Sequence, residues 1–132
     1  MGRQIVLDID DHAGGVVHIV VGEASALIGM KRAILRGVAE SYVKEHEEDF
    51  TGVNASAFRL LATAIYPSLV AALVEAESDG LGIGQDMSVE AFLQIPDYVE
   101  AQWEDAVVDL NPHWFKVQET GESQKKRKAK PE

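Results

Sequence analysis

Three groups of side chains in this sequence are of types that could carry chemistry. Asp8, Asp10 and Asp11 follow a hydrophobic run, Ile5-Val6-Leu7, and carboxylates there could attack, move a proton or hold Mg²⁺. Gly80-x-Gly-x-Gly84 could cradle a phosphate, but it lacks a preceding strand, a following lysine and the G-x-G-x-x-G spacing. It reads as a loop between helices. Histidines 12, 18, 46 and 113 could ligate a metal, yet none has a histidine partner four residues away. His46, in Glu45-His-Glu-Glu48, lacks the second histidine of a zinc helix. The chain has no cysteine, which removes thiolate metal sites, cysteine nucleophiles and disulfides and fits a reducing compartment. No catalytic, cofactor-binding or metal-ligating residues are expected, and no enzyme.

The aspartates are the most tempting group. A hydrophobic strand ending in Asp8-x-Asp10 resembles the first motif of haloacid-dehalogenase-type phosphatases, where the resemblance would make Asp8 the nucleophile and Asp10 the acid/base. That fold needs a parallel sheet, whereas Gly14-Gly15 here turns the chain straight back into an antiparallel partner. No later strand offers a second acidic pair or a suitably placed lysine. Asp8 and Asp10 are therefore expected on the solvent side of an edge strand.

The elements around these residues follow from periodicity. Ile5, Leu7 and Ile9 alternate strictly, and Val16 to Val21 is nearly all β-branched, so a β-hairpin spans 4–21. A long helix then runs to about Glu48, with Leu27, Met30, Ile34, Val38 and Tyr42 in one apolar stripe. The acidic run Glu45–Asp49 opposes the dipole at its end. After a loop, with Asn54 or Ser56 as the expected cap, a second helical pattern runs from Phe58 to Ala76, kinked or split at Pro67. Ser88 caps a short helix to about Ile95. Pro96 starts another through Val99, Trp103, Ala106, Val107 and Leu110, which Asn111-Pro112 stops. The expected fold is α+β and mostly α-helical, an N-terminal hairpin packed on a bundle of four to five helices. A single globular domain covers 1–117, with its helices within 24–111, and a flexible basic tail covers 118–132.

Charge narrows the function classes. The 132 residues hold 12 basic and 22 acidic side chains, a net charge of −10. Residues 1–120 alone hold 7 basic and 20 acidic, a net of −13, which repels phosphate backbones and excludes nucleic acid as a partner of the body. The longest apolar stretch, around Leu69 to Val74, falls far short of the ~20 residues needed to span a bilayer. No signal peptide is legible at the start, so a cytoplasmic protein without membrane contact is expected.

The most distinctive segment lies at the end of the body. Trp103, Asn111, Pro112, His113, Trp114 and Phe115 read in two ways: as a partner-binding ledge, because Trp and Phe after a proline offer large contact area at modest entropy cost, or as a capped core helix with Trp103 in the core and Trp114 tucked under the helix end. The run Phe92-Leu, Ile95-Pro96, Trp103-x-x-Ala106-Val107-x-x-Leu110-Asn111-Pro112-His113-Trp114 resembles the end of tail assembly chaperones of long-tailed bacteriophages. Tyr66-Pro67 and Glu75-x-Glu77 fit the same layout, and the resemblance covers roughly residues 58–115. It implies a chaperone in the host cytoplasm, absent from the mature virion. Such a protein keeps the tape measure protein soluble while tail tube protein polymerises around it. Many members also have a longer form, made by a programmed ribosomal frameshift, that engages the tube protein. Gln124-Lys125-Lys126 can be encoded CAA-AAA-AAG, which contains the slippery heptamer A-AAA-AAG, and so Lys125 and Lys126 mark a possible frameshift position. Self-association is possible through the free edge of the hairpin. A rival reading is an acidic interaction module such as a DNA-mimic inhibitor, although the acids cluster at 8–11, 45–49, 75–79 and 97–109 on ordinary amphipathic elements.

Overall fold

A computed structural model describes residues 2–10, 15–78 and 80–115. Asp11, His12 and Gly14, the 118–132 tail and the Lys125-Lys126 position lie outside the described residues. The fold is α+β, a three-stranded antiparallel sheet with about five helices.

Strands β1 (Gln4–Asp10) and β2 (Val16–Gly22) form the expected hairpin, with Asp8 opposite His18 and Ile9 opposite Val17. Ile5, Leu7 and Ile9 turn toward the core, and Asp8 and Asp10 face solvent on an edge strand. β2 is central. Val17, Ile19 and Val21 are fully buried beneath it, and its outer residue Val20 is covered as well. This explains why the strand reads as a continuous apolar run.

Its second neighbour departs from expectation. Leu73–Glu77, read from sequence as the last turn of a helix, is strand β3, antiparallel to β2 with a bulge at Val20/Val21. Periodicity cannot separate helix from strand over a short all-apolar run such as Leu69–Ala72. The exposed backbone of β2 decides it: the Gly22 amide donates to the Ala72 carbonyl at 2.9 Å, and pairing begins there.

Helix α1 (Ala26–His46) is capped by Ser25, whose hydroxyl accepts from the Ile28 amide at 3.3 Å. Helix α2 (Gly52–Leu60) starts at Thr51, three residues before the expected cap, with Gly52 at φ 57 in the left-handed region. It runs through a π turn (Leu61–Ile65) into helix α3 (Tyr66–Ala71) without leaving helical geometry. Pro67 sits in the first turn of α3. The wider π turn accommodates its missing amide and its ring, so the chain is continuous rather than split. Every residue from Ile65 to Ala72 is buried, which makes α3 the centre of the core.

Helix α4 (Val89–Leu93) is capped by Ser88, whose hydroxyl accepts from the Ala91 amide. Helix α5 (Asp97–Leu110) follows Pro96 and buries Val99, Trp103, Ala106, Val107 and Leu110, the face its spacing predicts. It packs across β1 and β2 and against α3. Among the described residues, no helix is long and apolar enough to cross a membrane.

Candidate partner-binding site

The residues expected to form a binding ledge are mostly structural. Trp103 is 0% exposed and packs edge-on against Phe92, with ring centroids 5.8 Å apart; Phe92 in turn meets Tyr66 at 5.5 Å. Asn111 is also 0% exposed. Its Nδ2 donates to the Gly22 carbonyl at 3.2 Å and its Oδ1 accepts from the Ala24 amide at 2.7 Å. Trp114 is buried under the Arg32 guanidinium, which lies 4.7 Å above its ring and donates to its carbonyl at 3.2 Å. Arg32 Nε donates to the Ser68 hydroxyl at 2.8 Å. These contacts clasp residues 111–114 onto β2, α1 and α3. Trp103, Asn111 and Trp114 therefore offer a partner no surface. Of the six, Pro112 and His113 are exposed and Phe115 is half-buried.

The exposed apolar surface lies elsewhere. Leu27, Met30, Ile34 and Val38 of α1 are 63%, 52%, 58% and 52% exposed. These residues form the stripe by which sequence alone would seat the helix on the core. The core is instead met by Ile28, Leu35, Ala39 and Val43 on the adjoining face. Arg32 interrupts that inner row, which hides it from a search for apolar spacing. The clasp with Ser68 and Trp114 is what makes a half-buried cation tolerable there, and desolvation pushes its pKa below the usual arginine value. A helix apolar on two faces has one face to spare. Val6, Val16, Val53 and Leu60 are exposed as well, but Leu27, Met30, Ile34 and Val38 stand in one row on one helix, which is the pattern of an interaction surface.

Comparison of the chain with known protein families, curated proteins and solved structures finds no match.

His18 stands on the solvent face of the sheet between Asp8, at 2.7 Å from Nδ1, and Glu75, at 3.3 Å from Nε2. The carboxylates approach opposite sides of the ring, so they bind three strands together rather than converging on a cation. Among the described residues, no group of three potential ligands could hold a metal ion. The hydrogen bond to Asp8 leads the causes that raise the His18 pKa.

Glu100, on α5, is a perturbed carboxyl. Its Oε2 is buried with no hydrogen-bond partner among the described residues, beside a cavity of about 150 Å³ lined by Leu61, Phe92 and Ile95. Desolvation first, then the neighbouring Glu104 carboxyl, push its pKa up to about 8. The folded chain thus holds a proton that an unfolded carboxyl has already lost. Stability falls as pH rises from about 4.5 toward 8. The raised His18 acts in the same direction: its stabilisation is complete below the ordinary imidazole value of 6.5 and is lost as pH climbs through its folded value. Mild acid should therefore stabilise the protein. Glu100→Gln, whose amide can donate to Glu104, should raise stability by about 1–3 kcal/mol at pH 8 and change it little at pH 5. Urea midpoints at the two pH values check this, and an equal gain at both would show that Glu100 is ionised throughout.

Proposed function

We propose that this chain is a tail assembly chaperone that binds the tape measure protein of a long-tailed phage in the host cytoplasm and keeps it soluble. The observation that carries the reading is the exposed stripe Leu27, Met30, Ile34 and Val38 on an otherwise acidic body. A holdase needs apolar surface for its client and charge to stay dispersed while loaded. The stripe supplies the first and the net charge of the body the second. The resemblance of residues 58–115 to that chaperone family supports the same reading. A long client can take up many copies, so each contact need only be weak, because linked sites add through effective concentration.

Co-expression tests it. The wild-type chain should raise the soluble fraction of the tape measure protein and co-purify with it. Ile34→Asp/Val38→Asp should lose both effects while keeping its melting temperature, since both positions face solvent. No gain in solubility and no co-purification with the wild-type chain would sink the proposal. A longer form that recruits tail tube protein belongs to the same reading. Expression from the native gene with its downstream DNA should then give a second product, diverging just after Lys126 by intact mass.

A further inference from the structure

The client reading leaves open what kind of segment lies on α1, and two more features of that helix bear on it. The stripe from Leu27 to Val38 is about 17 Å long at 1.5 Å per residue. At its far end Tyr42 lines a cavity of about 540 Å³, with His46, Phe50 and Phe58 as its other aromatic walls. Tyr42 stacks on His46 at 4.2 Å and Phe50 on Phe58 at 4.4 Å, so the walls hold one another in place. Leu61 and Leu93 add apolar lining. Charge along the helix is polarised. Lys31, Arg32 and Arg36 with no acid lie in its first half, whereas the cavity end carries Glu40, Glu45, Glu47, Glu48 and Asp49 against Lys44, with Asp49 beside His46, and so stays net acidic. That acidic run sits against the negative end of the helix dipole, where an incoming cation is favoured twice over.

We propose that the occupant is an amphipathic helix of a partner protein, basic at one end, which lies along the stripe and seats one large apolar side chain in the cavity between Tyr42, Phe50 and Phe58. This rests on the client reading and specifies its geometry. A second copy of the chain fits poorly. Parallel pairing of two α1 helices stacks the Glu45–Asp49 runs on each other. Antiparallel pairing that sets Leu27 against Val38 matches the two stripes but leaves both acidic runs and both cavities without an occupant. A helix with clustered lysines meets neither objection, and laying an apolar face into a groove is an established mode of helix recognition.

Two synthetic helical peptides of about 18 residues test this on the full chain by fluorescence anisotropy. Both carry the same leucine stripe and the same three lysines, clustered at one end in the first and spread evenly in the second. The clustered peptide should bind about tenfold more tightly, and the advantage should shrink as salt screens it. Glu47→Lys/Glu48→Lys should abolish the preference. Ala57→Trp, which fills the cavity from its exposed rim, should weaken binding about tenfold without touching the stripe. Equal affinities, no binding of either peptide, or indifference to both variants would overturn the geometry. If the tape measure protein still co-purifies in an Ile34-dependent manner, only this geometry falls. If that fails too, the client reading falls with it.

Discussion

Trp103→Ala should lower the unfolding free energy by about 3–5 kcal/mol, the largest loss expected of any single side chain here. Trp103 is completely buried on α5, and the row Tyr66–Phe92–Trp103 ties α3, α4 and α5 together through edge-on ring contacts. Removing the indole leaves a hole bounded by elements that cannot collapse into it without moving one another. For a domain with about 5–15 kcal/mol in total, that loss unfolds much of the population near body temperature. The control is Trp103→Phe. The indole Nε1 has no hydrogen-bond partner among the described residues, so phenylalanine removes an orphaned donor as well as some packing volume. Its cost should stay below about 1.5 kcal/mol, because the two changes oppose. Chemical denaturation of both variants checks the pair. An alanine cost below 1 kcal/mol would mean that the core does not rest on this row.

The parts of the fold that sequence discloses are those in which one face is apolar and the other is not. β1 alternates cleanly because one side meets the core and the other meets water. α5 shows its buried face because Asp97, Gln102, Asp105 and Asp109 occupy its exposed surface. β3 stays hidden because Leu73–Glu77 continues an apolar run, and what makes it a strand is the unpaired edge of β2, 50 residues away. α1 misleads for the opposite reason. It has two apolar rows, and the uninterrupted one faces solvent while the row broken by Arg32 faces the core. A cation in an inner row is legible only when its partners, Ser68 and Trp114, are known to lie over it. The same holds for the candidate site. The spacing of α5 puts Trp103 on its buried face, as found, whereas Trp114, past the helix end, fits either a core or a partner from sequence and is buried by Arg32. The surface left over for a partner is the stripe that sequence alone assigns to the core.

Asn111→Ala should cost about 2–4 kcal/mol, more than a single neutral hydrogen bond is worth. The side chain serves two backbone groups that have turned away from regular structure. It donates to the carbonyl of Gly22, at the end of β2, and accepts from the amide of Ala24, just before α1 begins. Alanine leaves the buried Gly22 carbonyl and the half-buried Ala24 amide without their partner, and the carbonyl regains none from solvent. Its main chain works as well: the Asn111 amide donates to Val107 and its carbonyl accepts from the Trp114 amide. Proline at 112 disfavours helical geometry at Asn111, whose φ −130 and ψ 58 end α5 and swing the amide toward β2. Asn111→Asp separates the bonds from the shape. The aspartate keeps the acceptor for Ala24 but turns a second oxygen toward the Gly22 carbonyl, so it favours the protonated acid that can donate there. Its folded pKa is therefore raised. Relative to wild type, Asn111→Asp should be least stable near pH 8 and should recover as pH falls through that raised value, whereas Asn111→Ala should show no such recovery. Thermal melts of the three proteins from pH 4 to 8 decide between them. A deficit in Asn111→Asp that is the same at every pH would show that the Gly22 carbonyl does not need the donor. The Asn-Pro-His-Trp close would then hold the chain end by Trp114 and Arg32 alone.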